Sequence, residues 1–341
     1  MKGTRQTARL LGIFLASVSL LPEAFSARSP GISLSEGGIS SVRIAETDAL
    51  SVFRLGDLRK GKNSIALLDP MLFDPGILGR RNGLLETFLD EGYNVYLLMW
   101  KSPDESIQSS LIGTEIEKAL SMARTDCECT DFIAGGISLG GQRWLPYLGR
   151  LESTEDIMAD SRGNRIRSVF FLGAGLDYSY PGSLYTGGRF PINIDLSRNC
   201  ADAGGPCLGF IPTRHFQSGL RLRRIPLPLV PGDLSTVRMF PAIKAMTIPV
   251  AFIYGKIDGF SPEETSFSVY KAWGEEKWMQ EARTEYAPYD TDNPLLWLEG
   301  SEANRIHDYD HFDLFLHPDA DDEIYDELVD WMEDAERKSE N

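Results

Sequence analysis

Phe132-Ile133-Ala134-Gly135-Gly136-Ile137-Ser138-Leu139-Gly140-Gly141 is the stretch around which the rest of the chain organises itself. Its first half is a short apolar run, as expected for a strand covered on both faces. Its second half is Gly-Ile-Ser-Leu-Gly, the Gly-x-Ser-x-Gly pattern of a sharp strand-to-helix turn with a serine at its tip. Such a turn holds the serine in a strained backbone conformation, and the small neighbours Gly136 and Gly140 let the chain pass. The turn lifts the hydroxyl out of the sheet, where a base can reach it. Taken alone, the pattern fits an ordinary glycine-rich turn as well, so the rest of the chain must supply the base and the carboxylate that a serine nucleophile needs.

Outward from this stretch, apolar runs alternate with helical patterns. Strands are expected at 64–68, 94–100, 131–135, 167–173 and 248–255, with possible edge strands at 41–44 and 50–55. Helical spacing of Leu84, Leu85, Phe88 and Leu89 predicts a helix near 77–91. Ile112, Ile116, Ala119, Leu120 and Ala123 predict a second, with Asp104 able to cap it, and a third follows the serine from about 142 to 151. Strands alternating with helices mean an α/β fold with a mostly parallel, doubly wound sheet and right-handed crossovers. The interval between the strands ending at Gly173 and starting at Ile248 is too long for one crossover and is rich in proline and glycine. It reads as a cap inserted over the C-terminal edge of the sheet, where open α/β sheets bind ligands. The expected organisation is a leader at 1–26, core at 27–175, cap or lid at 176–245, and core again at 246–341.

A serine hydroxyl is barely ionised near neutral pH, so a base must take its proton as it attacks, and a carboxylate must orient the base. The chain has four histidines, His215, His307, His311 and His317. In an α/β-hydrolase fold the order along the chain is nucleophile, acid, histidine. His311, in Tyr309-Asp310-His311-Phe312-Asp313, is the expected base, with His307 next in line. Asp258, in the turn after the strand at 248–255, is the expected acid, although an aspartate in a glycine-flanked turn also serves simply as a turn former. The oxyanion donors expected are the backbone N–H of Leu139, which follows the nucleophile, and that of Met71 in the loop after 64–68; Pro70 has no N–H to give.

The chain has 341 residues, is 42% hydrophobic and 25% charged, and carries a formal net charge of -16. That excess of acid disfavours nucleic acid and anionic lipid as partners. Much of it falls between 319 and 334, where Ile324, Leu328, Trp331 and Met332 recur at helical spacing, so an amphipathic helix with one face on the core is expected. Lys2, Arg5 and Arg9 precede an apolar run at 10–21, Pro22, and Ala24-Phe25-Ser26. This pattern predicts an export leader cleaved near Ser26 and a periplasmic or secreted product, an uncleaved leader being the alternative. Cys200 and Cys207 bracket a loop that a disulfide could close, whereas a bridge between Cys127 and Cys129 is expected to be strained. Neither pair has histidines at zinc-finger spacing, and no metal or organic cofactor is implied.

Several stretches resemble the polyhydroxyalkanoate synthases of the α/β-hydrolase superfamily. Gly92-Tyr93-Asn94-Val95-Tyr96-Leu97-Leu98-Met99-Trp100-Lys101-Ser102-Pro103-Asp104 is similar to that family's strand ending in Trp-basic-x-Pro-Asp. Gly136-Ile137-Ser138-Leu139-Gly140-Gly141 is similar to its Gly-x-Cys-x-Gly-Gly box, and Leu176-Asp177-Tyr178-Ser179-Tyr180-Pro181-Gly182 to its Leu-Asp-Phe-Ser-x-Pro-Gly segment. Asp258 corresponds to the family's acid and His311-Phe312-Asp313-Leu314 to its Gly-His-x-Asp-Leu segment. The resemblance spans roughly 60–335 without the cap. It departs in two places: the family's nucleophilic cysteine is Ser138 here, and the glycine before the histidine is Asp310. A thiol suits thioester exchange on acyl-CoA, whereas a serine favours an oxygen ester that water then cleaves. With an export leader, this points to a serine ester hydrolase of the esterase, lipase or polyhydroxyalkanoate-depolymerase kind, acting on a small apolar ester or a polyester. The alternatives are a synthase-like acyltransferase and a non-catalytic binding protein of the same fold.

Overall fold

The computed structural model describes residues 38–59, 63–69, 78–79, 82–101, 109–129, 131–154, 157–176, 198–200, 205–208, 211–212, 242–255, 261, 264–274, 311, 313–316 and 320–340. Among them, nine strands form one sheet in the order β1-β2-β4-β3-β5-β8-β7-β6, with β12 also paired to β8. The strands are β1 (Ser41–Glu46), β2 (Leu50–Leu55), β3 (Ser64–Leu68), β4 (Asn94–Trp100), β5 (Asp131–Ile137), β6 (Glu152–Thr154), β7 (Ile157–Ala159), β8 (Arg165–Leu172) and β12 (Val250–Ile253). The centre, β4-β3-β5-β8-β12, is parallel; β1, β2, β6 and β7 pair antiparallel at the flanks. β2 is not an edge strand as its sequence suggested, because β1 folds back over it and leaves it between β1 and β4. This is the α/β-hydrolase fold. β9 (Arg198–Cys200), β10 (Gly205–Leu208) and β11 (Ile211–Pro212) make a separate three-stranded sheet within the expected cap. Apart from Leu176 and residues 242–245, the remainder of that cap and the expected leader lie outside the described residues.

The central strands are continuous apolar runs because helices cover both faces. Helix α2 (Ser109–Cys127) packs against helix α3 (Leu139–Leu148) on one face. There Tyr96 of β4 donates its hydroxyl to Asp126 at 2.9 Å, and Arg54 of β2 reaches both oxygens of the same carboxylate at 2.8 Å. Helix α4 (Glu264–Ala272) is followed by Trp273, whose ring meets Phe171 and Phe252 edge-on. On the other face lies helix α1 (Leu84–Asp90), where Phe88 leans on Phe170. Helix α1 is shorter than the 77–91 of its periodicity. After the short helix α5 (Asp313–Leu316), a π-helical turn at Asp321–Tyr325 leads into α6 (Asp326–Glu340). As expected, Ile324, Leu328, Trp331 and Met332 are buried. The expected cap at Asp104 lies outside the described residues.

Cys127 and Cys129, whose bridge is expected to be strained, form a disulfide with their Cα atoms 5.1 Å apart. The reason lies in Glu128, whose φ of 54° folds the chain back on itself between them. For Cys200 and Cys207, the backbone sets their strands β9 and β10 antiparallel, with Cys207 opposite Arg198 and Cys200 opposite Gly205.

Candidate active site

Three parallel strands stop at one level. Ile137 of β5 is in register with Leu172 of β8, which is in register with Ile253 of β12. The next amides cross-link the ends: Ser138 N–H donates to the Leu172 carbonyl at 3.0 Å, and Gly173 N–H to the Ile253 carbonyl at 2.8 Å. Ser138 has φ 50° and ψ -128°, a conformation that costs a non-glycine residue roughly 1–3 kcal/mol. Helix α3 begins at the very next residue, three positions earlier than the sequence pattern suggested. Gly140 shows why this helix needs glycine near its start. A Cβ there would lie 2.4 Å from the Leu68 carbonyl oxygen and 2.7 Å from that of Asp69, so the helix rests directly on the end of β3.

Ser138 Oγ lies 3.0 Å from His311 Nε2 across 173 residues of chain. Both side chains are buried, at 2% and 1% exposure. A hydroxyl donating to Nε2 requires the histidine tautomer that carries its proton on Nδ1. Phe315 of α5 sets its ring edge-on to the imidazole at 5.8 Å, which fixes the plane of the ring from one side. Gly173 leaves room beside both rings. It has φ 56°, and a Cβ on it would lie 3.4 Å from His311 Cε1 and 3.0 Å from Leu314 Cδ1. Gly173 is a site residue whose place in the sequence marks only the end of a strand; a glycine directly after a buried strand is the signal it offers.

The two expected members that the structure brings together are thus Ser138 and His311, and Leu139 occupies the first position of α3. Amides in the first turn of a helix have no acceptor within it and point their partial positive charge outward, as oxyanion binding requires. Asp258, Met71, His307, His215 and His317 lie outside the described residues. Five residues past the serine, Arg143 sits over the Trp100 ring at 5.6 Å, and burial pushes its guanidinium down to about 10. No group of histidine, cysteine, aspartate and glutamate able to hold a metal occurs among the described residues.

Neither a family model nor a curated protein matches the chain. Solved structures resemble it. A bromoperoxidase from Bacillus anthracis is 14% identical with a TM-score of 0.42, over 69% of this chain and 88% of its own. A carboxylesterase from Bacillus subtilis is 12% identical with a TM-score of 0.43, over 71% and 85%. A sugar hydrolase from Lactococcus lactis is 12% identical with a TM-score of 0.40, over 78% and 98%. At such identities the chemistry has to be argued from the site itself.

Proposed function

We propose that this protein is a serine ester hydrolase. The observation that carries the reading is the Ser138 hydroxyl held 3.0 Å from His311 Nε2, on a residue forced to positive φ at a strand-to-helix turn. His311 takes the hydroxyl proton as Ser138 Oγ attacks the ester carbonyl. The tetrahedral oxyanion is held by backbone N–H groups, that of Leu139 and, from the loop after β3, that of Met71. Collapse of this intermediate releases the alcohol, which leaves with the proton from His311, and an acyl-enzyme remains. Water, deprotonated by His311, then cleaves the acyl-enzyme and restores the serine. Asp258 is the carboxylate assigned to orient His311. It follows β12, whose end stands level with the ends of β5 and β8.

The substrate we assign is an apolar ester, and the support is the sequence of the cap region around 210–230, rich in leucine, isoleucine and proline. The basic-then-apolar leader at 1–26 supports export to the periplasm or the medium. Turnover of a p-nitrophenyl ester series by the purified protein tests the chemistry. Ser138→Ala and His311→Ala should each lower kcat by at least about 10³-fold, and a fluorophosphonate should label the wild type but not Ser138→Ala. Ester turnover that survives in Ser138→Ala would overturn the reading.

A further inference from the structure

The strained turn at Ser138 needs something to hold it, and steric contact alone is insufficient. The glycines bring α3 close to the sheet: a Cβ on Gly136 would meet the Gly141 Cα at 2.5 Å, and one on Gly140 would meet the β3 carbonyls. Contacts of this kind set a minimum distance between helix and strand, but they neither pull the two together nor fix the rotation of one against the other. A directional bond does both.

One such bond spans the turn. Trp144, fully buried in α3, donates its indole N–H to the carbonyl of Gly135 in β5 at 2.8 Å. Donor and acceptor lie on opposite sides of Ser138, so the bond closes a brace over the nucleophile. The same indole lies against the turn itself, its Cδ1 3.1 Å from where a Cβ of Gly136 would sit. Behind it, Tyr147 meets the indole edge-on at 5.6 Å and donates its own hydroxyl to Asp160 at 2.9 Å. Asp160 is itself fixed, accepting from the backbone N–H of Arg162 and of Asn164 and from the Asn164 side chain. The brace is therefore anchored in the turn that feeds β8, the strand whose Leu172 carbonyl receives the Ser138 amide.

We propose that Trp144 is a positioning residue of the active site: its indole N–H sets the angle between β5 and α3 and thereby holds Ser138 within reach of His311. The proposal rests on the ester-hydrolase reading for its kinetic consequence and on the brace geometry for its structural one. It is tested in the full chain by two replacements. Trp144→Phe removes the donor and shrinks the ring, and 3-benzothienylalanine at position 144 keeps the ring size and removes only the N–H. For the benzothienyl protein, kcat on a p-nitrophenyl ester should fall about 10–100-fold, as expected of a small misplacement of a reacting group. KM should stay within about twofold, fluorophosphonate labelling of Ser138 should slow by the same factor as kcat, and the melting temperature should stay near that of the wild type. Exchange of the Ser138 amide with deuterium should speed up in both variants. A purely structural tryptophan would leave kcat and KM unchanged well below the melting temperature. Wild-type kcat and wild-type exchange in the benzothienyl protein overturn the proposal even if Trp144→Phe misfolds. A wild type inert to both ester and probe overturns the hydrolase reading instead, and the Ser138 exchange rate then still decides whether the brace exists.

Discussion

Gly140 illustrates how much one missing methyl group decides. Its backbone faces the carbonyl oxygens of Leu68, the last residue of β3, and of Asp69 just beyond it, main-chain atoms that cannot move aside as a flexible side chain would. Gly140→Ala should therefore destabilise the protein by about 1–3 kcal/mol, the usual range for overpacking. It should also lower kcat, since relief comes from pushing the start of α3 and Ser138 away from β3. Denaturant unfolding and steady-state kinetics on the same sample measure both effects. At this scale the sequence was readable where chemistry imposes a pattern. Ser138 stood out because its turn needs small neighbours, and His311 because the proton acceptor comes last in the chain. For Gly173 the sequence shows a glycine at a strand end but not the side chains it serves. What it accommodates, His311 and Leu314, lies far away in sequence and is brought to it only by tertiary packing.

The elements were legible from their apolar periods, and the misjudged ends have physical causes. Helix α3 begins on Leu139-Gly140-Gly141, residues that local propensity disfavours in a helix by about 1 kcal/mol per glycine. Packing against β3 and Ala174 overrides that preference, because only glycine fits the gap. The small hairpin β6–β7 has strands of only three residues, too short to show a period, and β2 reads as an edge until β1 pairs with it. The turn from α2 into β5 carries the Cys127–Cys129 bridge. A ring closed over so few residues removes little entropy from the unfolded chain, so the double variant Cys127→Ser, Cys129→Ser should lose only about 1.5 kcal/mol. Chemical denaturation of the oxidised wild type beside that variant gives the number. A loss above about 4 kcal/mol would mean that the bridge shapes the folded turn as well.

At the scale of the whole molecule, the acidic run at 319–334 sets two carboxyls, Asp326 and Glu327, where their ionisation opposes folding. Glu327 in α6 has its carboxyl raised above the ordinary range, chiefly by burial and further by Asp330 and Glu323. A carboxyl raised in the folded state binds its proton more tightly there than in the unfolded chain. Its ionisation therefore destabilises the fold above the folded pKa, and the penalty fades as pH falls toward the unfolded value. Glu327→Gln should accordingly raise the melting temperature by about 1–2 °C at pH 7–8, and the gain should vanish near pH 4. Calorimetric scans of both proteins across that range check the sign.

The separation of 173 positions from Ser138 to His311 also imposes an order in time. A ribosome adds about 5–20 residues per second, so the serine exists for about 10–35 s before its histidine is even made. Throughout that interval the nascent chain holds a hydroxyl with no base beside it, so the proposed nucleophile stays dormant until residue 311 has been made.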